Sequence, residues 1–113
     1  MQPENPEVAR LQREVLWSLT NEDHLGLWEI AWMLDVSPGQ DRATIDSKVS
    51  LARVAAWDLL QRDAIEVWEL DGWPPAEARR MTLDEFHNAA GEPAVWTDPE
   101  AATRLIQVRA SAS

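Results

Sequence analysis

His24 and His87 are the two imidazoles of the sequence, and neither has a carboxylate or a second histidine four residues away. A zinc or acid–base centre needs groups that converge, so both are expected at the surface. Two carboxylate pairs, Glu29 with Asp35 and Asp84 with Glu85, are the kind that glycosyl or metal chemistry draws on. Asp84 and Glu85, however, open a predicted helix, where the helix dipole favours negative charge. Gly26, Gly39, Gly72 and Gly91 stand singly, without the spacing of a phosphate-binding loop. The absence of cysteine removes disulfides, thiol nucleophiles and cysteine–zinc sites together. No nucleophile has a recognisable base partner. The sequence therefore predicts no enzyme, no cofactor, no metal site and no small-molecule substrate.

Charge carries the next information. Twenty acids oppose 10 bases, a formal charge of −10. Residues 1–35 and 64–113 each come out at −5, while residues 36–63 hold four acids and four bases and are neutral. Such a chain repels phosphate backbones, so nucleic acid is a disfavoured partner. Arg79-Arg80 is the one adjacent basic pair, with Glu77, Asp84 and Glu85 close by in sequence. Seven tryptophans against one Phe and no Tyr are the other oddity. Most are expected in the core, since each ring buries roughly 150–250 Å². Trp73 and Trp96, in loops beside prolines, are expected to be packing plugs.

The elements that position these residues follow from periodicity. At 113 residues and 45% hydrophobic composition, the chain is expected to form one domain over residues 7–110. Residues 1–6 are a frayed lead-in and 111–113 a tail. No apolar run approaches the roughly 18–20 residues of a membrane span, and the N-terminus lacks the regions of a signal peptide. The sequence thus predicts no membrane association and a cytoplasmic location. A first helix is expected over Glu7–Leu19, with Val8, Leu11, Val15 and Leu19 as its apolar stripe and Trp17 opposite. Asn21-Glu22-Asp23-His24 should end it. A short strand, Leu25–Leu27, leads into a helix Trp28–Leu34 that is apolar nearly all round, as if sandwiched between its neighbours. Gln40–Ile45 reads as a polar connector with room for one helical turn of its own.

A long helix then starts near Asp46, with Ile45, Val49, Ala52, Ala56, Leu59 and Leu60 on one face. At Asp63 the period switches to that of a strand, Ala64–Leu70. Asp71–Pro75 stops it. Thr82-Leu-Asp-Glu85 is a capping box that opens a short helix to about Ala90. Thr97-Asp-Pro-Glu100 is a second candidate cap. Arg104–Arg109 reads as a closing strand, antiparallel to Ala64–Leu70, with Ile106 and Val108 on one side.

Leu59-Leu-Gln-Arg-Asp-Ala-Ile-Glu-Val67 resembles the junction by which winged-helix recognition helices pass into their wing, and Leu27-Trp-Glu-Ile-Ala-Trp-Met-Leu34 is similar to that family's second helix. The capped helix 82–90, Pro93-Ala-Val-Trp96 and the closing strand resemble a group of small acidic winged-helix-like bacterial proteins. Asp63-Ala64 stands where the junction usually has glycine, which implies a looser turn. The connector 36–45 is longer than the usual one. The resemblance implies an α+β, winged-helix-like fold: a three-helix core, a small antiparallel sheet, and an extra short helix in the wing connection. It also implies a DNA-binding role, in which Ser47, Ser50, Arg53 and Gln61 on the long helix, with Arg79 and Arg80 on the wing, would contact DNA.

The outward face of the long helix gives a different answer. It carries Ser47, Ser50, Leu51, Val54, Trp57, Asp58 and Gln61, with Arg53 and Arg62 at its margins. A reader of the major groove needs Arg, Lys, Asn or Gln at the centre of that face, flanked by bases for phosphate. Here the centre is Val54 beside Trp57. Leu51, Val54 and Trp57, supported by Arg53, are therefore expected to form an apolar patch for another protein or a second copy of this chain. The competing expectation is that segment 82–96 folds back and covers them.

Overall fold

The computed structural model describes residues 5–36, 39–71, 77–98 and 104–111. Their elements run α1 (Pro6–Glu22), β1 (His24–Gly26), α2 (Leu27–Trp32), α3 (Arg42–Gln61), β2 (Ile65–Leu70), β3 (Ala78–Arg80), α4 (Leu83–Ala89), α5 (Ala94–Thr97) and β4 (Leu105–Ala110). Among the described residues the fold is thus α+β, with five helices and a four-stranded antiparallel sheet of order β1-β4-β2-β3. The expected turn at 71–75 beyond Asp71, with Trp73, and the cap residues Pro99 and Glu100 lie outside the described residues.

α1 is capped by Asn5, whose side chain accepts from the Glu7 N–H at 2.9 Å, with Pro6 in the first turn. Leu11, Val15 and Leu19 are buried as their spacing requires, and Trp17 is 70% exposed. The helix runs past the expected Leu19 and ends at Glu22, inside the Asn21–His24 segment expected to stop it. Thr20 and Asn21 donate from their side chains to the Leu16 and Trp17 carbonyls, and so extend the helix instead of breaking it. Asp23 then ends it in the left-handed conformation, φ 68°.

α2 is shorter than expected and is not sandwiched. Leu27, Ile30 and Ala31 are buried, but Trp32 is 54% exposed. Its closest packing partner is α5, an element that periodicity did not reveal. A Cβ at Gly26 would meet the outer atoms of the Trp28 ring, so any larger residue there requires the ring to move.

α3 starts at Arg42, inside the segment expected to be a connector, because the Asp41 carboxylate accepts from the Thr44 N–H at 2.7 Å. At its far end the expected loose turn is tight. Asp63 itself adopts φ 60°, Asp63 N–H donates to Leu60 O at 3.1 Å, and Ala64 N–H donates to Leu59 O at 2.9 Å. This is the paired hydrogen-bond pattern of a left-handed helix stop, made with aspartate in place of glycine.

The sheet follows from that turn. Val67 lies opposite Val108 and Ile65 opposite Ala110, so Ile65, Val67, Ile106 and Val108 share the core face. The antiparallel pairing of β2 and β4 is the one expected. α4 carries the expected capping box: Thr82 Oγ1 accepts from the Glu85 N–H at 3.2 Å, and Glu85 Oε1 from the Thr82 N–H at 3.0 Å. Trp96 is wholly buried, donates from Nε1 to Ala90 O at 3.0 Å, and meets Phe86 edge-on. It is the plug that its sequence context predicts.

Candidate functional site: the groove between α3 and α4

α4 lies alongside α3 because its capping box fixes where the helix begins. Phe86, Ala89 and Ala90 then turn inward at helical spacing, and all three are buried. Phe86 reaches Trp57, with ring centroids 6.4 Å apart and planes 7° from parallel. His87, one position on, tilts against the same indole at 5.4 Å and 57°. The segment 82–96 therefore does fold back on the long helix, but it covers one side of Trp57 only. Trp57 is half-buried and Val54, one turn earlier on α3, is 56% exposed.

The space left between the helices is a groove of about 280 Å³ lined by Arg53, Val54, Trp57, Phe86, His87, Ala90 and Gly91. Arg53, Val54 and Trp57 are brought together, as their spacing predicts. Leu51 is not with them. It lines a separate groove of about 390 Å³ on the opposite flank of α3, with Ser47, Lys48, Leu11, Arg10 and Glu14 among its walls. Residues three apart on a helix stand only about 60° apart, so Leu51 and Val54 are neighbours on the exposed ridge, and Leu51 falls to the other groove because Arg10, Leu11 and Glu14 of α1 approach it there. The competing expectation brings segment 82–96 to this face but does not name Phe86 and His87 as walls of a groove. The signal was present in Thr82–Glu85, which fixes the phase of Phe86 and His87.

The residues assigned to the DNA-binding alternative are differently placed. Ser47, Ser50 and Gln61 are exposed on α3. Arg79 and Arg80 lie on β3, and neither is a free cation. Arg79 contacts Glu69 at 2.9 Å and Glu85 at 2.7 Å, and Arg80 lies 3.8 Å from Glu66. The Arg79 side-chain hydrogen bond holds the Glu85 carboxyl at about 2, helped by the Thr82 N–H, while Glu85 and Glu69 push the Arg79 guanidinium up. Arg62, at the edge of the long helix, is bound to Asp58 at 2.9 Å.

The outer face of the sheet is equally self-satisfied. Arg109 lies 4.4 Å over the Trp68 ring and donates from Nε to Gln107 at 2.8 Å, and Trp68 Nε1 donates to Glu66 at 3.1 Å.

The candidate chemistry elsewhere resolves into structural roles. Glu29 accepts from the Gly26 N–H at 3.1 Å to cap α2, and Asp35 sits in a turn at φ 60°. Among the described residues no three of His, Cys, Asp or Glu gather as metal ligands would. No described helix is long and apolar enough to cross a membrane.

No family model, curated protein or solved structure matches this chain.

Proposed function

We propose that this chain is a non-catalytic, acidic, winged-helix-like module that docks another protein, or a second copy of itself, on the α3–α4 groove. The observation that carries the reading is Val54, 56% exposed at the mouth of a groove walled by Trp57 and Phe86. Large aromatics flanking an exposed apolar residue are where interfaces concentrate their energy. The winged-helix part rests on the element order: helix, short strand, helix, long helix, then strands. In that order α3 occupies the position of a recognition helix, with Val54 where a nucleic-acid reader needs a polar side chain.

Alanine at both Val54 and Trp57 is expected to abolish partner capture or dimerisation, measured by sedimentation, while the far-UV spectrum stays unchanged. Unfolding of that variant would assign both residues to the core and remove the reading.

DNA binding is the second reading, favoured by exposed Ser47, Ser50 and Gln61 on α3. The carboxylates on Arg79 and Arg80 count against it, because a phosphate must displace them first. A filter-binding titration at low salt separates the two. Retention of a duplex at micromolar protein, lost when Arg79 and Arg80 become alanine, supports DNA; no retention removes it.

A further inference from the structure

Arg53 differs from the other basic side chains. Arg10, Arg42, Arg62, Arg79, Arg80 and Arg104 each have a carboxylate within 4.0 Å. Lys48 donates to the Asp35 carbonyl, and Arg109 engages Gln107 and Trp68. Arg13 is exposed on α1, where water serves it. Arg53 is half-buried, and its Nε is sealed from solvent without a hydrogen-bond partner. A buried donor left unsatisfied is costly, most of all on a cation, and folded proteins keep few of them.

The sealed Nε is out of reach of any ligand, and what a partner meets is the rest of the Arg53 guanidinium, which has no carboxylate within 4.0 Å among the described residues. Arg53 forms one wall of the groove whose other walls are Trp57, Phe86 and Ala90. An anion that reaches it must arrive attached to something apolar. We propose that the groove takes a segment of a partner protein in which a bulky apolar side chain stands next to a carboxylate. The apolar group seats against Trp57 and Phe86, and the carboxylate pairs with Arg53. This rests on the docking function proposed above and adds the chemistry of the partner.

Three observations fix the occupant. The groove volume of about 280 Å³ suits one large side chain. Among the described residues no carboxylate pairs with Arg53, although acids outnumber bases two to one. Val54 lies exposed at the mouth, so an occupant confined to the groove would leave it in water, whereas a polypeptide crossing the mouth covers it.

The test uses the full chain, labelled with ¹⁵N, and three probes: acetyl-Leu-Glu-Trp-amide, its neutral counterpart acetyl-Leu-Gln-Trp-amide, and 3-phenylpropionate. The glutamate peptide is expected to shift the Arg53 Nε–H, Trp57 indole and Val54 amide resonances together. It should bind about fivefold more tightly than the glutamine peptide. Arg53→Met should bring that ratio to one, with the rest of the spectrum in place, and Arg53→Lys should retain part of it. Should Arg53→Met fail to fold, the two-peptide ratio on the natural sequence and on Arg53→Lys decides alone.

Equal affinity for both peptides overturns the acidic requirement and leaves the docking reading standing. No shift at these three residues up to about 10 mM of any probe overturns the inference, while the paired alanine variant judges the docking reading separately. Phenylpropionate matching the glutamate peptide assigns the groove to free carboxylic acids and overturns the polypeptide partner.

Discussion

Along its α1 side, α3 is held by a polar clamp. Gln12, buried on α1, donates to Ala55 O at 3.1 Å and to Asp58 at 2.9 Å, and Arg62 closes on Asp58 at 2.9 Å. Along its α4 side, the same helix is held by aromatic packing, and the Arg53 Nε is left without an acceptor. Both seams keep a groove, but one satisfies its polar clamp internally and the other holds an unmet hydrogen bond at the Arg53 Nε. In a chain with twice as many acids as bases, a carboxylate opposite Arg53 was readily available. Its absence sets the α4 seam apart from the α1 seam, where Gln12, Asp58 and Arg62 find partners in one another.

Variants that open one seam and spare the other test this contrast. The largest effect is expected from Trp96→Ala. It removes the ring supporting Phe86 and the bond to the Ala90 carbonyl, and should cost about 3–5 kcal/mol in urea unfolding. Hydrogen exchange should rise first in α4 and only later in α1; equal loss of protection in both helices would merge the two seams. Gln12→Ala opens the α1 side and should cost about 1–2 kcal/mol, since Asp58 remains partly reachable by water. Its effect should add to that of the Val54 and Trp57 alanine pair, because no polar group is shared; a coupling above about 0.5 kcal/mol in a double-mutant cycle would contradict the separation.

Asp63→Gly acts on the end of α3 and so on both sides alike. Relief of the left-handed aspartate should raise stability by up to about 1 kcal/mol, read as a higher urea midpoint at unchanged slope. A loss of stability would mean that the Asp63 side chain has a role of its own.

The smallest effect is a pH dependence specific to the α4 side. Glu85 is held at about 2, below its ordinary 4.5, so its contribution is complete above 4.5 and lost as pH falls toward 2. The exposed Arg79–Glu85 pair anchors the start of α4. Melting temperature should therefore drop in that window, and Glu85→Gln should flatten the drop while lowering the neutral-pH value slightly. Asp41, held low by the Thr44 N–H at the start of α3, adds a fall of the same sign that Glu85→Gln leaves intact.

Much of this architecture was legible because the signals are local. The Leu11–Val15–Leu19 stripe, the Thr82–Glu85 box and the Ile106/Val108 alternation each specify their element without help from elsewhere. What was missed depends on partners distant in sequence. α5 is a single turn, and burial of Trp96 against Phe86 explains its packing better than helix propensity does. β3 is three residues long and gains meaning only as Glu69 and Trp68 face Arg79 and Arg80 across it. The early start of α3 and the late end of α1 were missed for a different reason. In both places short polar side chains, Asp41 at the start of α3 and Asn21 at the end of α1, bond back to the helix backbone.

The candidate site divides in the same way. Val54, Trp57 and Arg53 share a face through the arithmetic of one helix. Which neighbour leans on that face, and on which flank Leu51 falls, depends on how α1 and α4 approach.

The order β1-β4-β2-β3 carries a consequence for synthesis. β4, the last of these strands to leave the ribosome, is inserted between β1 and β2. Until residues 105–110 emerge, the nascent chain holds two separate strand groups with facing open edges. Completion of the sheet therefore waits on its final strand, and a product stalled before that point presents ready templates for intermolecular pairing.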